Sequence, residues 1–224
     1  WDNAAMVSVA TATHHSLSNG DVISLSSAEG EASIEIPVWI VPGTADGVVK
    51  VPLGYGRTNI GVVADGVGTD SYCFRPADSG MFLTGGVQLQ KTGRAMELAN
   101  TQDHNSMVPR EGFNSRPMVR ENTVDGYREN PGFVEDYEIV PEHHLRNLFT
   151  EPVSYSQGQQ WGMAIDLSSC TGCSACVVAC QAENNIPIVG KERVIDGREM
   201  HWLRIDRYFT GTPENPEVVN QPMP

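Results

Sequence analysis

Positive charge is scarce in this chain. Fifteen Lys and Arg stand against 28 Asp and Glu in 224 residues, a formal charge of −13. Such a surface repels phosphate backbones and anionic lipid, which excludes nucleic-acid binding through a basic face. Long apolar runs are missing as well. None approaches the ~18–20 residues a membrane helix needs, so no membrane span is expected. Nothing resembles a nucleophile–base pair: Ser24 to Ser27 has no adjacent histidine or aspartate signature. A start methionine is lacking, and the chain stops at Gln221-Pro222-Met223-Pro224 without a pattern for a closing helix or strand. The expectation is an internal piece of a longer protein, so a missing signal peptide says nothing about compartment. Cysteine is rare but concentrated: Cys170, Cys173, Cys176 and Cys180 fall within eleven residues, and Cys73 lies alone upstream. A disulfide framework spreads its cysteines to close loops, whereas neighbours this close cross-link almost nothing.

What is present is a globular, turn-rich composition with 22 Gly and 14 Pro. Residues 1–75 read as short strands between turns. Asn19-Gly20-Asp21 signals a turn ahead of Val22-Ile23-Ser24-Leu25. Ala32, Ile34, Ile36, Val38 and Ile40 alternate with Ser33, Glu35, Pro37 and Trp39, which predicts a half-buried strand. Pro37 lacks a ladder donor and places that strand at an edge or a bend. Pro42-Gly43 turns the chain into a further strand at Val48 to Val51, ended by Gly54-Tyr55-Gly56. Strands at this spacing suggest a small β-barrel. From about Thr84 the pattern weakens, and residues 100–160 read as a linker or strap with a helical turn or two around Pro141 to Phe149. Order returns at Trp161. Met163-Ala164-Ile165-Asp166 is a predicted short strand, Ala175 to Asn184 a helix ended by Pro187, and His201 to Tyr208 a second strand.

The run Cys170-x2-Cys173-x2-Cys176-x3-Cys180 is the strongest signal. Three thiolates at x2 spacing can each take a corner of an iron–sulfur cubane, with Gly172, Ser174 and Ala175 small enough for close backbone approach. This is the bacterial ferredoxin spacing, in which the fourth cysteine ligates the other cluster of a pair. Cys180 sits about one helical turn past Cys176, so its sulfur is displaced along the axis. A structural zinc site is the alternative, although three cysteines in one tight loop crowd a tetrahedral ion. A four-thiolate cubane leaves Cys170, Cys173 and Cys176 one ligand short, and Cys180 three short. Either the missing ligands lie beyond Pro224 or this chain does not hold intact clusters. Gln181 occupies the position where a proline normally follows such a run.

The stretch Met163-Ala-Ile-Asp-Leu-Ser-Ser-Cys-Thr-Gly-Cys-Ser-Ala-Cys-Val-Val-Ala-Cys-Gln-Ala-Glu-Asn-Asn-Ile-Pro187, with Gly197-Arg-Glu-Met-His-Trp-Leu-Arg-Ile-Asp-Arg-Tyr208, resembles the iron–sulfur subunit of bacterial alternative complex III. That subunit is related to the four-cluster ferredoxin subunits of polysulfide-reductase-type enzymes. Upstream, Pro37-Val-Trp-Ile-Val-Pro-Gly43 and Val51-Pro-Leu-Gly-Tyr-Gly-Arg57 resemble the C-terminal barrel of the molybdopterin-oxidoreductase superfamily. Thr92-Gly-Arg94 to His104 and Arg120-Glu-Asn-Thr123 resemble the connecting region.

The resemblance implies an α+β, strand-rich architecture. Residues 1–83 would be a molybdopterin-dinucleotide-binding-like barrel, 84–160 a connecting strap, and 161–224 the start of a ferredoxin-like domain. It implies that Cys170, Cys173 and Cys176 hold one [4Fe–4S] cluster, that Cys180 belongs to the neighbouring one, and that no functional molybdopterin is bound. The implied role is a relay of single electrons from quinol, oxidised at an integral membrane subunit, toward cytochrome c subunits, on the periplasmic face of the cytoplasmic membrane. A genuine molybdopterin oxidoreductase and a non-redox zinc module are the alternatives. No substrate-converting site is expected within this stretch.

The other polar residues read as structural. His14 and His15, adjacent, would face opposite ways on a strand, and His143 and His144 behave similarly; surface positions are expected. His104 lies in the strap with no further ligand nearby. Cys73 is expected to be a small buried hydrophobe. Lys50 and Arg57 lie near glycine turns but lack the phosphate loop of an anion pocket. Trp202 and Tyr208 are expected to pack the ferredoxin core, and Asp166 to brace the start of the cysteine loop.

Overall fold

Alternating apolar residues build the first sheet. In the computed structural model, which describes residues 1–28, 30, 32–75, 86–102, 105–107, 119–137, 157–160 and 162–223, strands β1 (Ala5–Val7), β2 (Asp21–Ser27), β3 (Ser33–Ile40) and β4 (Val87–Ala95) pair in the order β1-β3-β2-β4. β2 and β3 run antiparallel with Ile23 opposite Ile36 and Leu25 opposite Ile34. β1 lies parallel to β3. The inward residues, with Ala12 of helix α1 (Val9–His14) and Leu17, form the core; Ile23, Ile36 and Val38 are fully buried. Burying each such side chain contributes roughly 1.5–3 kcal/mol.

Pro37 is not on an edge strand, because β3 lies between β1 and β2. The Val38 carbonyl accepts from the Gly20 N–H at 2.9 Å on the β2 flank. Backbone groups of successive strand residues alternate sides, so the Pro37 nitrogen faces the β1 flank. There β1 first pairs at Val38, and the missing donor costs no ladder bond. The strand expected at Val48 to Val51 reduces to a bridge in which Met6 and Lys50 exchange two bonds of 2.9 and 3.0 Å. Among the described residues β1 and β4 do not pair with each other, so the four strands make an open sheet.

Two strands lie where the sequence pattern shows none. β4 joins the first sheet although its residues fall in the expected strap: Val87 and Leu89 pack on the core, but beyond them polar bonds take over. Lys91 pairs with Asp21 at 2.7 Å, and the Thr92 hydroxyl donates to the Val22 carbonyl at 2.7 Å. Near the carboxyl end, β5 (Arg204–Thr212) forms an antiparallel hairpin with β6 (Asn215–Met223), so the chain does carry a strand over its last residues. Strap residues line the free edge of β5: Gln102 exchanges bonds of 2.7 and 2.9 Å with the Arg207 backbone, and Asn105 and Met107 bond Phe209. The strap also contributes a short helix, α2 (Val124–Glu129). Expectations for His104, His143, His144 and the turns around Pro141 to Phe149 fall outside the described residues.

Segments flanking the two sheets meet through side chains. Lys191, first residue of α4 (Lys191–Ile195), pairs with Asp2 at 2.5 Å, and the rings of Trp1 and His201 meet edge-on at 5.6 Å. Gly43 (φ 81°) lies so near β6 that a Cβ there would stand 3.0 Å from Val218.

Candidate metal centre

The cysteine loop begins with a carboxylate. Asp166 accepts from the Ser168 N–H and hydroxyl at 3.0 and 2.6 Å and from the Ser169 hydroxyl at 2.8 Å, while its carbonyl accepts from the Cys170 N–H at 3.0 Å. Those hydroxyl and amide donors hold its carboxyl below the ordinary aspartate range. The expected brace is therefore present. The expected strand at Met163 to Asp166 is not: these residues pair with no strand among the described residues, and Met163 and Ile165 are exposed.

Two left-handed residues then coil the backbone, Gly172 (φ 68°) and Ser174 (φ 61°). Glycine takes this conformation freely, whereas an L-residue such as serine takes it only where the fold demands it. Ser174 opens helix α3 (Ala175–Glu183) without a side-chain cap. The first N–H groups of a helix lack internal partners. Here the Ala175 N–H is directed at the Cys173 sulfur and, with the Thr171 hydroxyl, holds that thiol below its ordinary range. A helix N-terminus favours thiolate, the form that binds metal.

Cys170, Cys173 and Cys176 are exposed and Cys180 is half-buried. Cys176 and Cys180 are four residues apart on α3, which puts them on one face with about 6 Å of axial rise between them. Cys170 and Gly172 line a cavity of about 770 Å³ that Trp39, Leu167, Ile205 and Phe209 also enclose. Among the described residues no three His, Cys, Asp or Glu side chains are gathered as the donors of a single metal ion would be. The donor chemistry fits iron–sulfur ligation: soft sulfur atoms on a tight loop, with the Ala175 amide and the Thr171 hydroxyl acting on the Cys173 sulfur.

The remaining residues distribute as follows. Cys73 is exposed on a single helical turn (Tyr72–Phe74) rather than buried in the core; desolvation of its sulfur and the Asp70 carboxylate push its thiol up. His14 and His15 are exposed at the end of α1, their rings edge-on at 4.9 Å, not on a strand. Tyr208 is buried as expected, but Trp202 is 53% exposed and does not pack in the core. Sequence reasoning missed Asn184, whose side-chain nitrogen lies 3.6 Å from the Cys180 sulfur, and the Gln181–His201 contact at 3.2 Å. The i, i+4 spacing of Cys180 and Asn184 on a helix was the signal available for the first.

The opposite shifts of two thiols give a direct test. In the metal-free chain, Cys173 reaches its limiting alkylation rate at lower pH than Cys73, because the thiolate is the reactive form. Peptide mapping after iodoacetamide pulses across a pH series measures this. Cys73 reacting first at neutral pH contradicts the geometry.

Residues 161–182 match the 4Fe-4S binding domain family, and all four clustered cysteines lie inside the match. The cofactor is a [4Fe–4S] cluster. The chain is 78% identical over 55 residues to the iron–sulfur cluster-binding subunit of a menaquinone reductase of Nitratidesulfovibrio vulgaris, covering 24% of this chain and 21% of that protein. It is 38% identical over 71 residues to one of the subunits of the selenate reductase of Mesobacillus selenatarsenatis, covering 31% and 23%. It is 30% identical over 101 residues to the Hdr-like menaquinol oxidoreductase iron–sulfur subunit 1 of Archaeoglobus fulgidus, covering 38% and 36%. The chain thus spans about a fifth to a third of the length of these relatives. Among the described residues no helix is long and apolar enough to cross a membrane.

Proposed function

We propose that this chain is part of the electron-transfer subunit of a membrane-associated, quinone-active respiratory complex of the alternative complex III type. The 78% identity over 55 residues to a menaquinone reductase iron–sulfur subunit carries this reading. In it, Cys170, Cys173 and Cys176 hold one [4Fe–4S] cluster and Cys180 a neighbouring one. When bound, the clusters supply one-electron transfer between ferric and ferrous iron. The chain's own residues hold and tune that chemistry. Asp166 fixes the start of the ligand loop, the Ala175 N–H and Thr171 hydroxyl stabilise the Cys173 thiolate, and α3 spaces Cys176 from Cys180.

The sheet of β1 to β4 serves in this proposal as a scaffold related to the molybdopterin-dinucleotide-binding barrel, without a working pterin. The partners are an integral membrane subunit that handles quinol and cytochrome c subunits, at the periplasmic face. A second reading, favoured by the match to a selenate reductase, is a relay that feeds electrons to a terminal reductase. Freeze-quench paramagnetic resonance of the intact complex separates them. Reduction of the clusters by menaquinol, or their oxidation by menaquinone, within a turnover supports the quinone-active reading; clusters inert to both overturn it.

A further inference from the structure

We propose that Asn184 is a positioning residue for Cys180: its side-chain amide donates an N–H to the Cys180 sulfur and raises the reduction potential of the cluster held there. The inference rests on the reading of Cys180 as a cluster ligand. It starts from how α3 ends. The Ile186 N–H bonds the Gln181 carbonyl at 3.0 Å and the Asn185 N–H bonds the Ala182 carbonyl at 3.5 Å, with Asn185 left-handed (φ 51°). This is the Schellman arrangement, and buried Ile186 followed by Pro187 stops the helix. Asn184 is therefore pinned as the C-cap, one turn after Cys180.

The amide orientation follows from its partners. The side-chain nitrogen lies 2.9 Å from the Cys180 carbonyl oxygen, an acceptor, and 3.6 Å from the Cys180 sulfur. The carbonyl selects the NH₂ group over the amide oxygen, so the atom turned toward sulfur is a donor. A hydrogen bond to ligand sulfur stabilises the more negative, reduced cluster, and such bonds are among the levers that set cluster potentials. On the neighbouring position of α3, Gln181 is held by His201 at 3.2 Å, so both polar side chains flanking Cys180 have fixed partners.

Redox titration of the full-length protein, followed by paramagnetic resonance with iron analysis, tests this. In Asn184→Ala, iron content stays at the parent value and the Cys180 cluster moves about tenfold toward oxidation against its neighbour, about 59 mV for one electron. Asn184→Asp, which replaces the donor by an anion, moves it further, and Asn184→Gln, which keeps an amide donor, returns it toward the parent. The cluster of Cys170, Cys173 and Cys176 keeps its potential. Loss of the Cys180 cluster in Asn184→Ala that Asn184→Gln restores also supports the proposal. Unchanged potentials in both Asn184→Ala and Asn184→Asp overturn it, as does cluster loss that Asn184→Gln does not restore. Cys180→Ala retaining every cluster overturns the ligand reading instead, so the two failures are distinguishable.

Discussion

Alanine at Cys170, Cys173 or Cys176 removes one and the same [4Fe–4S] cluster from the full-length protein, and alanine at Cys180 removes a different one. The expectation follows from geometry as much as from spacing. Cys170 and Cys173 lie on a loop coiled by Gly172 and Ser174, and Cys176 is the second residue of α3. Cys180 lies about 6 Å further along the helix axis. A loop that closes around one inorganic core leaves that fourth sulfur beside a second. Alanine is the right replacement, since serine offers an oxygen ligand. Each single variant loses the four irons of one cluster, and Cys176→Ala/Cys180→Ala loses eight. Iron analysis of anaerobically purified protein, with resonance spectra after dithionite, reads both results. If Cys176→Ala and Cys180→Ala lose the same spectral component, the two-cluster wiring fails. Stoichiometric zinc with no reduced-cluster signal would return the site to a structural role.

The ligand loop and its helix were legible because their chemistry is local. Cysteine spacing, a proline at 187 and a polar helix end predicted Ala175 to Asn184, and α3 spans Ala175–Glu183. β2 was legible from the turn signal ahead of it and β3 from alternation, with Ile34, Ile36 and Val38 buried on its apolar face. β4 was hidden where apolar packing gives way to the Lys91–Asp21 pair and the Thr92 bond. Two prolines, at 216 and 222, disguised β6, which tolerates them because, among the described residues, no strand pairs with its outer flank. Trp202 misled in the other direction: apolar identity suggested packing, yet its side chain is exposed. The contact between the segments flanking the two sheets had no sequence signal at all, because a lone Asp2 and a lone Lys191 carry no mark of their pairing.

That pair is where removal of one side chain unsettles the junction most. The Asp2 side chain is 7% exposed and that of Lys191 26%, with nitrogen and oxygen 2.5 Å apart. The other Asp2 oxygen accepts from the Gly68 N–H at 3.1 Å. Lys191→Met strands a carboxylate in a site too enclosed to rehydrate it fully. Breaking a fully buried pair costs about 3–5 kcal/mol, and the partial exposure of Lys191 reduces this to about 2 kcal/mol. For a unit of this size that lowers the thermal midpoint by about 4–8 °C. Asp2→Asn keeps an oxygen for Gly68 and leaves only a half-solvated ammonium, so its effect is smaller. Adding Asp2→Asn to Lys191→Met should then recover more than half of the loss, because the stranded charge is gone. Calorimetry of the three variants in the full-length chain measures the cycle. A double variant no more stable than Lys191→Met alone would show that Lys191 acts through packing of its stem on the N-terminal sheet rather than through the charge of Asp2.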